Sequence, residues 1–147
     1  PQGGLRISAH GLVRIGRVLL GNGSIDGTRL LKPESVQAMI TPQWRYQPGN
    51  GLTYEEDTGD IDPGFFCRYG LAVQTLATPV QGCRDDPFGD GVARVGHSGS
   101  AYGLQAGVWV DRKSGTGVVW FATGMPDGRA GGKSAFSAVE EALAPPR

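Results

Sequence analysis

The sequence is poor in the residues that build metal centres and stapled mini-proteins, with only two histidines and two cysteines. Cys67 and Cys83 have no His or Cys neighbour at zinc-ligand spacing, so no metal site is expected. Spacing alone leaves two readings of that pair open, a disulfide suited to an oxidising compartment and two reduced, packed thiols. Charge of one sign is also missing: fourteen Lys plus Arg balance fourteen Asp plus Glu, and no run of like charge builds a stripe for nucleic acid. No apolar run approaches the roughly 18–20 residues needed to cross a bilayer. The opening PQGGLRISAHGL has neither the basic region nor the apolar region of a signal peptide. A chain that starts on Pro and runs straight into a helix approach is expected to be a fragment or a processed product.

What is present is enough for one domain. A chain of 147 residues can bury roughly 68–70% of its unfolded surface, and no internal repeat or low-complexity tract divides it. SAHGLVRIGRVLL places Leu12, Ile15, Leu19 and Leu20 at helical spacing, with Ser8 as N-cap and Gly11 where a capping box needs an acid or amide. GNGSIDGTRLL closes that helix and turns. KPESVQAMITPQW then gives a short second helix with Pro33 at its start, Glu34 in its first turn, Val36, Met39 and Ile40 inward, and Pro42 beyond it. Residues 47–63 are rich in Gly, Pro and Asp and read as a surface loop, with Glu55 and Glu56 in it.

From Phe65 the period changes. FFCRYGLAVQTLATPV reads as one strand, and QGCRDDPFGDGV as a second loop in which Asp85 and Asp86 are solvated. ARVGHS, YGLQAGVWVD and TGVVWFAT are three further strand candidates, with Trp109, Trp120 and Phe121 expected in the core and RKSG expected as a tight turn. SAFSAVEEALA spaces Phe136, Val139, Ala142 and Leu143 along one helical face, capped by Ser134 and stopped by Pro145 and Pro146. The expected class is α+β, an antiparallel sheet flanked by helices, with a helical segment over 3–46 and strands plus a closing helix over 64–147.

The segment VGHSGSAYG packs His, two Ser, Tyr and three Gly into nine positions, Val95 to Gly103. A strand that lines a cleft there presents a donor or cation at His97, a hydroxyl at Ser98 and, at Gly99, a residue that lets substrate backbone come close. The order of helix, GTRLLKPESVQAM, YGLAV, Gly-His-Ser-Gly, two hairpin strands and a terminal helix resembles the C-terminal part of serine hydrolases of the β-lactamase and penicillin-binding protein family, which includes esterases and D-amino-acid peptidases. The resembling segments run from about Gly3 to Leu143 and cover the later half of a typical member. In that family the third motif is Lys or His, then Ser or Thr, then Gly, on the sheet strand beside the active site. His97-Ser98-Gly99 resembles it, and the resemblance implies that the amide N–H of Ser100 is one of two donors in an oxyanion hole. Tyr102, just after the motif, is the aromatic expected to line the cleft, ahead of Trp44, Tyr46, Tyr54, Phe65 and Phe66. Imidazole titrates near pH 6.5, and His at this position resembles the carboxypeptidases, aminopeptidases and esterases of the family more than its efficient β-lactamases.

The chain departs from the family where the nucleophile is concerned. No Ser has Lys three residues on, and no Tyr or Ser has Asn two residues on. A serine needs an adjacent base to attack at neutral pH. Lys113-Ser114-Gly115 matches the commoner Lys-Thr-Gly form more literally, but it falls where two strands need a connection and reads as a solvated hairpin turn. A local triad of Ser98 or Ser100, His10 or His97, and Asp111 is a weaker alternative, since neither serine lies in a Gly-x-Ser-x-Gly elbow. Gly131-Gly132-Lys133-Ser134 lacks the first glycine of a phosphate loop.

The expected function is therefore the C-terminal part of an acyl-transferring serine hydrolase, acting on a lactam, D-peptide or ester, with no cofactor. Its expected partners are the N-terminal portion that carries the nucleophile and a small-molecule or peptide substrate. The implied location is periplasmic or secreted. The alternative is a non-catalytic binding domain that keeps the later half of the fold.

Overall fold

The computed structural model describes residues 4–50, 64–125 and 131–144. Gly3, Glu55 and Glu56, Tyr54, Pro145 and Pro146, named above, lie outside the described residues. Among the described residues the architecture is α+β, with an antiparallel six-stranded sheet, a two-stranded ribbon and three helices.

Helix α1 spans Ala9–Leu20, and the Ser8 hydroxyl accepts from the Gly11 amide at 3.1 Å, a single cap without the reciprocal half. The buried stripe differs by one position from the expected one. Gly16 and Leu19 face inward while Ile15 is exposed, because the helix approaches the sheet so closely at Gly16 that a β-carbon there would sit 3.3 Å from Val108 and Val110. Strands β1 (Ser24–Ile25) and β2 (Thr28–Arg29) form the ribbon around Asp26 and Gly27, an Asp-Gly pair that suits a two-residue turn. Helix α2 covers Pro33–Ile40, with Pro33 in its first turn and Val36 buried.

The large sheet runs in chain order: β3 (Trp44–Arg45), β4 (Arg68–Tyr69), β5 (Gln74–Thr75), β6 (Val95–Ala101), β7 (Leu104–Asp111) and β8 (Thr116–Thr123). The stretch from Phe65 is thus two short strands and not one. Ala72 takes a left-handed φ of 58°, which bends the chain back so that Tyr69 pairs with Gln74. In contrast, β6, β7 and β8 pair along their whole lengths, through a two-residue turn at Tyr102-Gly103 in which both residues have positive φ, and a second turn at Arg112–Gly115.

Pairing puts the two faces of the sheet to different use. Val95 and Val110 pack with Leu19, Val36 and Val73 beneath α1 and α2. On the other face Trp109 packs with Phe65, Leu76, Ala135 and Phe136, and the Trp109 and Phe136 rings meet edge to face at 5.8 Å. Trp120 is buried as expected, but Phe121 is 57% exposed, since β8 is the edge strand and Phe121 lies toward its far end.

Helix α3 starts later than expected, at Ala138, and ends at Leu143. Its cap is Ser137, with a complete capping box: the Ser137 hydroxyl accepts from the Glu140 amide at 3.2 Å and the Glu140 carboxylate accepts from the Ser137 amide at 2.9 Å. Ser134 sits before the helix, its hydroxyl donating to Glu141 at 2.7 Å. Of the expected apolar face Phe136 is buried and Val139 half-buried, but Ala142 and Leu143 are exposed, and the inward side of the helix carries Glu140 and Glu141. Both acids are hydrogen-bonded, as burial of a carboxylate requires. Asp85 is a further correction. It is 2% exposed and accepts from the Thr78 amide at 2.8 Å and hydroxyl at 2.7 Å, whereas Asp86 turns its carboxylate to the amides of Phe88, Gly89 and Gly91.

Cys67 and Cys83 are joined in a disulfide with their Cα atoms 6.0 Å apart, which decides between the two readings of that pair. The bridge ties the start of β4 to the loop that carries Asp85.

Candidate functional site

The His97-Ser98-Gly99-Ser100 segment is the middle of β6, and its surroundings follow from where β5 stops. Strand β5 pairs with β6 only as Gln74↔Gly96 and Thr75↔Val95, and the Leu76 amide donates to the Arg94 carbonyl at 2.8 Å. In an antiparallel ladder backbone groups alternate between the two edges. Arg94 and Gly96 therefore direct their N–H and C=O toward β5, and Ser98 and Ser100 direct theirs to the same edge, beyond the point where the β5 pairing ends. His97, Gly99 and Ala101 turn theirs to β7, which pairs with the strand throughout.

The imidazole of His97 lies along that edge. Its Nδ1 bonds the Ser98 carbonyl, and its Nε2 is 2.6 Å from the Tyr69 hydroxyl, with the two rings edge to face at 5.8 Å. A carbonyl can only accept, so Nδ1 carries the proton. In the neutral ring Nε2 is then an acceptor, and the Tyr69 O–H donates to it. Burial pushes the Tyr69 hydroxyl above the ordinary tyrosine range, so it keeps its proton. The arrangement is an imidazole held at both nitrogens, with a phenol oxygen whose lone pairs remain for a further donor. Such a pair can pass a proton from an incoming group through Tyr69 to Nε2.

Ser98 faces the other way, as the pleat demands of neighbouring residues. Its hydroxyl donates to Oε1 of Glu140 on α3. Glu140 in turn is held by the Ser137 amide, and the Ser137 hydroxyl donates at 2.9 Å to the buried Gln105, which pairs with Ser100 across β6 and β7. The closing helix is thus anchored to the candidate strand by polar contacts.

Gly99 is exposed, and a β-carbon built on it meets nothing within 4 Å. That space is what a strand alongside an extended ligand needs. Tyr102 is not brought to this cluster. It sits fully exposed at the tip of the β6–β7 turn, five residues from His97 and on the order of 16 Å along the strand.

A local triad is not assembled. The Ser98 proton goes to Glu140, and His10 is exposed in the first turn of α1. The Asp111 carboxylate accepts from the Lys113 amide at 2.9 Å, the Ser114 amide at 3.2 Å and the Ser114 hydroxyl at 2.6 Å, within the turn that follows it.

Tyr69 and Glu140 escaped sequence reasoning. Their partners are 28 and 42 residues away, and neither lies in a motif. A signal for Glu140 did exist, since Ser137 and Glu140 stand at capping-box spacing. No protein-family model matches the chain, and no curated protein matches it either.

Proposed function

We propose that this chain is the C-terminal portion of a serine hydrolase of the β-lactamase and penicillin-binding protein type, and that β6 is one wall of its active site. The observation that carries the reading is the edge of β6: the amides of Ser98 and Ser100 point past the end of β5, beside a Gly99 with open space and an imidazole fixed by Tyr69.

In this reading a serine hydroxyl outside this sequence attacks the substrate carbonyl. The carbonyl oxygen gains negative charge and takes a hydrogen bond from the Ser100 N–H, a contact worth roughly 2.7–4 kcal/mol in such sites. The proton of that serine passes through Tyr69 to Nε2 of His97, and collapse forms an ester to the serine and releases an amine or alcohol that takes the proton back by the same route. Water then cleaves the ester. The Cys67–Cys83 bridge supports a periplasmic or secreted location, where disulfides persist.

Intact-mass spectrometry after incubation of the intact gene product with a fluorophosphonate or penicillin probe tests the reading. An adduct on a segment or polypeptide outside this sequence is expected. An adduct within this 15.4 kDa chain overturns the split arrangement in favour of a local nucleophile, and no adduct leaves a binding domain.

A further inference from the structure

The contact between Ser98 and Glu140 bears on what the site accepts. A serine hydroxyl has one proton and two lone pairs, and the Ser98 proton is committed to Glu140 Oε1. Glu140 is itself 7% exposed, and its other oxygen accepts from the Ser137 amide. Its position is therefore fixed by the helix cap, and it is not free to swing away from Ser98.

Ser98 is only half-buried, so the residue keeps some exposure on β6. What it offers there is lone-pair density backed by a carboxylate. A ligand N–H satisfies it. A ligand carboxylate finds no proton on that hydroxyl and a like charge one hydrogen bond behind it, which disfavours it at this position. His97 does not compensate, because its two ring nitrogens are engaged by the Ser98 carbonyl and the Tyr69 hydroxyl.

Resting on the hydrolase reading above, we infer that the Ser98 subsite takes a hydrogen-bond donor, an amide or ammonium N–H, and rejects a carboxylate. The substrate class is then a neutral or cationic ester or amide. Glu140 acts through Ser98 as a specificity-determining positioning residue and does not touch the substrate.

The test uses two p-nitrophenyl benzoate esters that differ only in a 4-carboxylate or a 4-carbamoyl group, with the intact gene product. The carbamoyl ester is expected to have a kcat/KM roughly tenfold higher. Glu140→Gln removes the charge and keeps a residue that can complete the capping box. It is expected to bring the ratio to within about threefold, and Ser98→Ala should do the same by removing the hydroxyl. A ratio is insensitive to how much of a variant folds, so a purely structural role for Glu140 would leave it unmoved. A preference for the carboxylate, or a ratio unchanged in both variants, overturns the inference while the hydrolase reading stands. Failure to turn over either ester brings down the hydrolase reading, and this inference with it.

Discussion

Two tripeptides of the same form, His97-Ser98-Gly99 and Lys113-Ser114-Gly115, lie in neighbouring parts of one sheet and do opposite things. In the second, the Ser114 hydroxyl and the backbone amides turn back on their own turn. The Ser114 hydroxyl meets Asp111 and Thr116, the Lys113 and Ser114 amides meet Asp111, and Gly115 takes a φ of 74° while its amide donates to the Asp111 carbonyl. The first lies in regular strand and binds distant elements, β4 through Tyr69 and α3 through Glu140, while the Gly99 side stays open. The closer motif match is the turn. What separates them is whether the backbone conformation uses the polar groups locally or leaves them to partners and ligands.

The sharpest way to break the comparison is to mutate both. His97→Ala is expected to lower kcat/KM of the intact gene product by roughly 10²-fold, the low end for a group that handles protons, with Lys113→Ala within about twofold of wild type. Thermal melts on each variant establish that the loss is not unfolding. Equal losses at the two sites would erase the distinction.

Stability should show the reverse order. Asp111 is 3% exposed and accepts three hydrogen bonds within its turn, so Asp111→Ala is expected to cost about 1–3 kcal/mol in urea unfolding with kinetics preserved. The glycines give a matched pair. Gly115→Ala forces a β-carbon into left-handed backbone and should cost about 1 kcal/mol with KM unchanged. Gly99→Ala has room for its β-carbon and should unfold like wild type while KM rises roughly three- to tenfold. A Gly99→Ala protein that is destabilised with normal KM would make that glycine structural too.

The smallest effect expected is on pH dependence, and it concerns the acid paired with Thr78. Burial raises the Asp85 carboxyl above its ordinary value, against the lowering effects of the Thr78 hydrogen bonds and Arg68. A group with a raised folded value binds its proton more tightly in the folded state. Its stabilisation is full below the unfolded carboxylate value and is lost as pH rises through the folded one. Chemical denaturation across the mildly acidic range should show this fall, and Asp85→Asn should remove it.

The helices and the β6–β8 strands were legible because their signals are local. Ser8 and Pro33 mark helix starts, and alternation marks strands long enough to show it. The stretch from Phe65 hid its turn, since Ala72 takes a conformation that its side chain does not advertise and the flanking apolar residues continue the pattern. In α3 the two acids read as outward residues, yet both are buried by partners that only the fold supplies, Ser98 for one and Ser134 for the other. The candidate site was legible in the same proportion: its strand was readable, and Tyr69 and Glu140, which bond His97 and Ser98, were not.

The sheet is laid down in strict chain order, each strand beside the one before it. Sequential hairpins close short loops, so β6, β7 and β8 can pair before the rest of the molecule is assembled, and low contact order predicts that they form early. Tyr69 must arrive from beyond the 76–94 connection, and α1 must settle on strands that begin some ninety residues later in the chain. Pulsed hydrogen exchange should protect the Val108 and Trp120 amides ahead of those in α1. A folding chain would then complete the motif strand first and fasten its histidine last.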